Sequence, residues 1–161
     1  MVSGTPRLAV SVAGKGSFVL FLHGIRGNRG NWSKQVDAFS QRYRAAAWDA
    51  RGYGDSDDYP GALQFDHFSG DVLRVIEHFG MEKIHLVGLS MGGRIARNVA
   101  LRFPERLRSL TLVSTSPGFD AMFRSRTSAR RPWSSTETRT RCTRRRWRAR
   151  SRGASPARSW P

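Results

Sequence analysis

The sequence that decides the fold is residues 84–99, IHLVGLSMGGRIARNV, in which Ser90 separates a strand pattern from a helix pattern. Residues 84–87 form an apolar run typical of a buried strand, and residues 94–101 have the composition of a helix. Ser90 has a glycine two residues before it and another two residues after it, the layout of a sharp strand-to-helix turn called a nucleophile elbow. This context predicts that Ser90 is a catalytic nucleophile, although the bare five-residue pattern also occurs by chance.

The glycines beside Ser90 have a mechanical role in such a turn. A strand that reverses into a helix leaves no room for neighbouring side chains, and the serine is forced into a strained backbone conformation. The strain exposes the hydroxyl at a helix N-terminus, where free N–H groups stabilise developing negative charge. We therefore expect Ser90 to stand in the open beside hydrogen-bond donors.

Strand and helix patterns alternate on both sides of this stretch. The predicted strands are residues 7–12, 18–22, 43–48, 84–87 and 109–114. The predicted helices are residues 31–39, 68–79 and 94–102, and Asn31 is expected to cap the first of them. The first strand, which alternates apolar and polar residues, is expected to be antiparallel, and the later alternation predicts a mostly parallel sheet with helices on both faces. Because functional groups of such sheets collect at the carboxyl ends of the strands, His23, Gly24, Asp49 and Ser90 should share one rim.

Four motifs in this order resemble those of the α/β-hydrolase family. They are LHGI at residues 22–25, DARGYGDS at 49–56, VGLSMGG at 87–93 and FPERL at 103–107. The resemblance covers about residues 8–118, and within the family the chain is similar to small esterases and lactonases such as 3-oxoadipate enol-lactonases. It implies acyl transfer at a carboxylic ester or lactone bond of a small molecule, and we expect no cofactor and no metal site.

The resemblance also assigns roles around the serine. The backbone N–H groups of Met91 and Ile25 would form the oxyanion hole. His23 and Gly24 belong to the loop that supplies the Ile25 amide and are candidate residues of the substrate pocket. The His23 ring is expected to brace this loop rather than to act as an acid or base.

Three further residues have two interpretations each. Trp32 is a candidate wall of the acyl pocket, with packing of the first helix against the sheet as an equal alternative. Asp49 and Arg51 could indicate a charged site, but we expect them to shape and cap their loop.

The sequence lacks the base that a serine nucleophile needs. A serine hydroxyl reacts poorly without a base and a carboxylate that orients the base, and in this family both follow the serine in the chain. Here no histidine follows His85, and Asp120 and Glu137 are the only acids after Glu105. We expect a truncated family member with little or no hydrolase activity. The alternative is a non-catalytic protein that binds a small molecule or nucleic acid.

Residues 119–161 differ in kind from residues 1–118, which are expected to be the N-terminal part of the hydrolase domain. They contain 13 Arg, 2 acids and no Leu, Ile, Val or Lys, and they carry most of the net charge of +16. Such a segment cannot bury enough aliphatic surface to order itself, so a disordered basic tail is expected. Out-of-frame translation is the favoured explanation; a nucleic-acid-binding arm with stacking tryptophans and a plain linker are the alternatives.

Composition also limits the partners and the compartment. Cys142 is the single cysteine, so no disulfide can form within the chain. The longest apolar run, Phe18–Leu22, is too short to span a membrane, and no leader pattern is visible. We expect a cytoplasmic protein without a membrane partner, whose tail contacts nucleic acid at most non-specifically.

Overall fold

The computed structural model describes residues 1–62 and 64–116. The predictions for residues 119–161, a disordered tail and its three explanations, lie outside the described residues. Within the described part of the chain, none of the helices combines the length and the apolar character that crossing a bilayer requires.

Five strands form one sheet in the described part of the chain. They are β1 (Val10–Ala13), β2 (Phe18–Leu22), β3 (Arg44–Trp48), β4 (Ile84–Leu89) and β5 (Leu107–Val113). Their spatial order is β1-β3-β2-β4-β5, in which β1 pairs antiparallel with β3 and the other pairs are parallel. The prediction of a mostly parallel sheet that begins with an antiparallel strand is confirmed.

Three helices cover the sheet in the described part of the chain. They are α1 (Ser33–Ser40), α2 (Phe65–His78) and α3 (Met91–Arg102), with short 3-10 turns at Arg29–Trp32 and Pro104–Arg106. The prediction that Asn31 caps the first helix is wrong. A 3-10 turn precedes that helix, and the Asn28 side chain caps the turn by accepting a hydrogen bond of 2.8 Å from the Gly30 amide. The Asn31 side-chain oxygen in turn accepts a hydrogen bond of 2.7 Å from the Asn28 backbone amide.

The two faces of the sheet carry separate apolar clusters. Strand β2 is buried along its whole length because successive side chains point to opposite faces and both faces are covered. On one face Phe18, Leu20 and Leu22 pack with residues of α2 and α3. On the other face Val19 and Phe21 pack with residues at the start of α1. This central position fixes the carboxyl end of β2 beside that of β4.

Candidate active site

Ser90 stands at the turn between β4 and α3. Its backbone has φ 51° and ψ −109°, a conformation that side-chain-bearing residues rarely adopt and that costs about 1–3 kcal/mol. Its amide donates to the Val113 carbonyl of β5 at 2.9 Å, which ties the turn to the neighbouring strand. The residue is exposed, as expected for a side chain held out of such a turn.

The glycines around Ser90 are required by close backbone contacts. A Cβ at Gly88 would lie 2.6 Å from the Gly93 Cα, so strand and helix touch across the turn. A Cβ at Gly92 would lie 2.6 Å from the His23 carbonyl oxygen and would overlap that of Leu22. The first turn of α3 therefore rests directly on the end of β2.

The loop after β2 lies against Ser90. A Cβ built on Gly24 would be 3.4 Å from the Ser90 Cβ, so the two residues are in contact distance. The Gly27 amide donates to the Gly24 carbonyl at 3.0 Å, which closes a tight turn with Arg26 at φ 59°. Ile25, the first central residue of this turn, is 69% exposed. The structure thus brings Gly24, where the Ile25 turn starts, into contact distance of Ser90.

Met91 opens α3 immediately after Ser90. The first amides of any helix lack partners within that helix and point outward from its N-terminus. The Met91 side chain is half-buried, and its sulfur accepts a contact from the Tyr53 hydroxyl at 3.6 Å. Tyr53 also packs on the His23 ring, with ring centroids 5.1 Å apart. The roles of Met91 and Ile25 as oxyanion donors stay predictions.

His23 lies beneath the loop. Only 1% of its surface is exposed, its Nε2 accepts from the Ala50 amide at 3.1 Å, and its Nδ1 lies 2.7 Å from the Gly24 carbonyl. An Nε2 that accepts leaves the ring proton on Nδ1, which then donates to Gly24. Burial lowers the pKa of the imidazole, although the Gly24 carbonyl and Asp49 oppose the shift. His23 is therefore a neutral link between two loops, in the bracing position expected from the sequence.

Asp49 links the same loops through its carboxylate. The side chain is fully buried and accepts from the backbone amides of Arg29 at 2.5 Å and Asp55 at 2.9 Å, as well as from the Arg29 guanidinium. Arg29 also pairs with the exposed Asp55 carboxylate. Sequence reasoning missed the Arg29 contact, because 20 residues separate the partners and no local pattern connects them.

Arg51 is paired with an acidic residue of α2. Its guanidinium donates two hydrogen bonds, of 2.6 and 2.7 Å, to the fully buried carboxylate of Asp71 on α2. Arg74 donates to the same carboxylate at 2.9 Å and reaches the carbonyls of Ser3 and Pro6. The cluster fixes the loop after β3 and the N-terminal segment to α2, as expected for a residue that shapes its loop.

Trp32 belongs to the apolar cluster under α1. It is 8% exposed, and its ring centroid lies 5.0 Å from that of Phe21. Its indole N–H is buried without a hydrogen-bond partner among the described residues. The packing interpretation accounts for these contacts, and a part in the acyl pocket stays a prediction.

No described side chain hydrogen-bonds to the Ser90 hydroxyl. The remaining histidines have other neighbours: His67 accepts from the Gln64 amide at 3.4 Å, His78 packs edge-on against Phe79, and His85 contacts Ser109. Within residues 1–62 and 64–116, no three His, Cys, Asp or Glu residues are grouped so that they could hold a metal ion.

Comparison with known proteins assigns the fold family. A sequence model of the alpha/beta hydrolase fold family matches residues 18–146. The chain is 36% identical over 116 residues to a pimeloyl-(acyl-carrier protein) methyl ester esterase of Aeromonas hydrophila, covering 71% of this chain and 44% of the relative. It is 28% identical over 98 residues to 3-oxoadipate enol-lactonase 2 of Acinetobacter baylyi, covering 61% of this chain and 37% of that protein.

A solved structure gives the same result. A thermophilic esterase from Thermogutta terrifontis superposes with a TM-score of 0.67 at 34% identity, over 71% of this chain and 44% of the esterase. The chain thus spans less than half the length of each of these relatives. The family match, the sheet order and the strained serine lead to one conclusion: the chain belongs to the alpha/beta hydrolase fold family.

Proposed function

We propose that Ser90 is the nucleophile of a serine hydrolase site that acts on carboxylic ester or lactone bonds of small molecules. The observation that carries the proposal is the Ser90 backbone, held at φ 51° at the N-terminus of α3 and in contact distance of Gly24. The esterase and lactonase names of the relatives support the substrate class.

The proposed chemistry is acyl transfer. The Ser90 Oγ attacks the carbonyl carbon, and the carbonyl oxygen becomes an oxyanion that accepts hydrogen bonds from the amides of Met91 and Ile25. The positive end of the α3 dipole adds to this stabilisation. His23 holds the Ile25 turn in place through its contact with the Gly24 carbonyl. The two amides and the Ser90 hydroxyl supply what the attack requires, apart from a base that accepts the hydroxyl proton.

Transfer of the Ser90 proton is the step that limits hydrolysis by this chain. No described group is placed to accept the Ser90 proton, and the sequence contains no histidine after His85. We infer that residues 1–161 alone lack Ser90-dependent turnover. Any acylation of Ser90 then uses solvent hydroxide as the base, whereas an intact site would use an imidazole.

The test measures where an activated ester labels the chain. The full chain is incubated with p-nitrophenyl acetate from pH 7 to 10, and acetyl groups on Ser90 and Ser114 are quantified by peptide mass spectrometry. Ser114 is the internal control, because it is exposed and has a similar positive φ of 46° but does not begin a helix. We expect Ser90 to react at least about tenfold faster than Ser114, since a single oxyanion donor is worth about 100-fold or more.

The pH profile and the product kinetics test the missing base. Without an imidazole, the Ser90 labelling rate should rise about tenfold per pH unit with no plateau, because hydroxide removes the proton. Acylation of Ser90 releases one equivalent of p-nitrophenol, and after that equivalent the rate of release should be the same for the wild type and Ser90→Ala. Equal labelling of Ser90 and Ser114 would contradict the nucleophile assignment, and a plateau near neutral pH or Ser90-dependent multiple turnover would contradict the missing base.

A further inference from the structure

A serine–histidine pair lies outside the elbow. His85 on β4 and Ser109 on β5 are register partners in adjacent parallel strands, so their side chains leave the sheet on the same face. The His85 Nδ1 lies 2.8 Å from the Ser109 Oγ. Ser109 is exposed and His85 is half-buried, so a small molecule from solvent can reach the hydroxyl.

The pair opens into an aromatic groove of about 290 Å³ on the α1 face of the sheet. Trp32, Phe39 and Tyr43 line the groove beside the two polar residues. The Tyr43 ring meets the His85 ring edge-on with centroids 5.9 Å apart, which restricts the orientation of the imidazole. The volume lies at the lower end of small-molecule sites and suits one compact aryl ester.

We propose that Ser109 and His85 form a second acyl-accepting site, selective for small aryl esters and independent of Ser90. In the tautomer that carries its proton on Nε2, the imidazole accepts the Ser109 hydroxyl proton at Nδ1. This is the arrangement in which a histidine activates a serine. The aromatic walls supply stacking surface for the aryl group.

The step balances without a further reagent. The Ser109 Oγ bonds to the ester carbonyl carbon, its proton passes to the His85 Nδ1, and the aryl C–O bond breaks. The imidazolium returns the proton to the departing phenolate. Water then attacks the carbonyl carbon of acyl-Ser109, and the bond between this carbon and the Ser109 Oγ breaks. One water proton passes through His85 to the Ser109 Oγ, and the remaining hydroxyl group leaves as part of the carboxylic acid. Because an activated aryl ester has a better leaving group than acyl-Ser109, acylation is faster than deacylation and the acyl form accumulates.

The test is carried out in the full chain with Ser90→Ala, so that its outcome is separate from that of the elbow. The probe is p-nitrophenyl acetate at pH 7.5, and acetyl groups are located by peptide mass spectrometry. Ser17 is the reference, because it is also exposed and its hydroxyl has no hydrogen bond to a described side chain. We expect Ser109 to be acetylated at least about tenfold faster than Ser17, since general bases contribute about 100-fold or more.

Two perturbations separate catalysis by the pair from simple exposure. His85→Phe keeps an aromatic ring beside Tyr43 and removes the base, so Ser109 acetylation should fall to the Ser17 rate while Ser17 is unaffected. The second perturbation needs no substitution: 1-naphthol, which competes for the groove, should slow labelling of Ser109 and leave Ser17 unchanged. Equal rates at the two serines, or a Ser109 rate unaffected by 1-naphthol, would overturn the proposal.

Discussion

The close approach of α3 to β2 makes a strong prediction about Gly92. In Gly92→Ala the new Cβ would lie 2.6 Å from the His23 carbonyl oxygen, whereas ordinary contacts begin near 3.4 Å. The helix or the strand end must therefore move by at least about 0.8 Å, the difference between the two distances, because the Leu22 carbonyl oxygen is closer still. Both surfaces are backbone, so no side-chain rotation relieves the overlap.

The magnitude follows from two opposing effects. Forcing an extra carbon into a packed site costs about 1–3 kcal/mol, and contacts that are backbone on both sides favour the upper end. Alanine in a helix is favoured over glycine by about 1 kcal/mol, which offsets part of the cost. The net expectation is a loss of about 2 kcal/mol, a roughly 30-fold change in the folded-to-unfolded ratio.

Gly70 is the matched control, because it lies inside α2 and an added methyl group would have no atom within 4 Å apart from its chain neighbours and the backbone of its own helix. Gly70→Ala should gain about 1 kcal/mol from helix propensity alone. Urea unfolding of the full chain, followed by circular dichroism, should therefore move the two midpoints in opposite directions, with that of Gly92→Ala lower by about 1 M. A Gly92→Ala midpoint at or above that of the wild type would refute the packing argument.

Two further substitutions test buried charge and buried imidazole in the same unfolding assay. Asp71→Asn removes the charge that two arginines share and should cost about 3 kcal/mol, because an uncompensated charge remains in a buried site. The exposed Asp37→Asn should leave the midpoint unchanged, and equal midpoints for both variants would contradict this reasoning. Because burial lowers the pKa of His23, the unfolded chain takes up the proton first, and stability is full above about pH 6.5 and declines as the pH falls through that value. The midpoint should therefore drop between pH 7.5 and 5.0 by less in His23→Gln than in the wild type or the exposed-residue control His78→Gln; equal drops in all three would count against a buried neutral imidazole.

Sequence patterns predicted the elements that local chemistry determines. The apolar run Phe18–Leu22 is a strand with those same limits, because both of its faces are covered and every residue signals burial. Helix α2 begins at Phe65, three residues before the predicted start at residue 68. Asp66 was the available signal, because an acid is favoured in the first turn of a helix.

The candidate site was predictable where it depends on strand ends. Gly24 and Ser90 follow strands that are neighbours in the sheet, so the rule that carboxyl ends share one edge is enough to place them together. The contact of Arg29 with Asp49 was not predictable in this way. It joins two irregular loops, whose conformations depend on partners far away in the sequence.

The geometry of the elbow is a property of packing and does not depend on a catalytic base. Three contacts hold Ser90 at its strained φ: the hydrogen bond of its amide to Val113, the seating of Gly92 on the end of β2, and the Gly24 turn that His23 braces. All of them come from strands and loops that the described residues already contain. A strain of about 1–3 kcal/mol persists when its surroundings over-determine it, and here they do so without any described group that accepts the serine proton. The strained serine is therefore a mark of the family and of the proposed nucleophile. Turnover depends on a separate group that accepts the serine proton. Acylation of Ser90 and stability of the fold must therefore be measured in separate experiments.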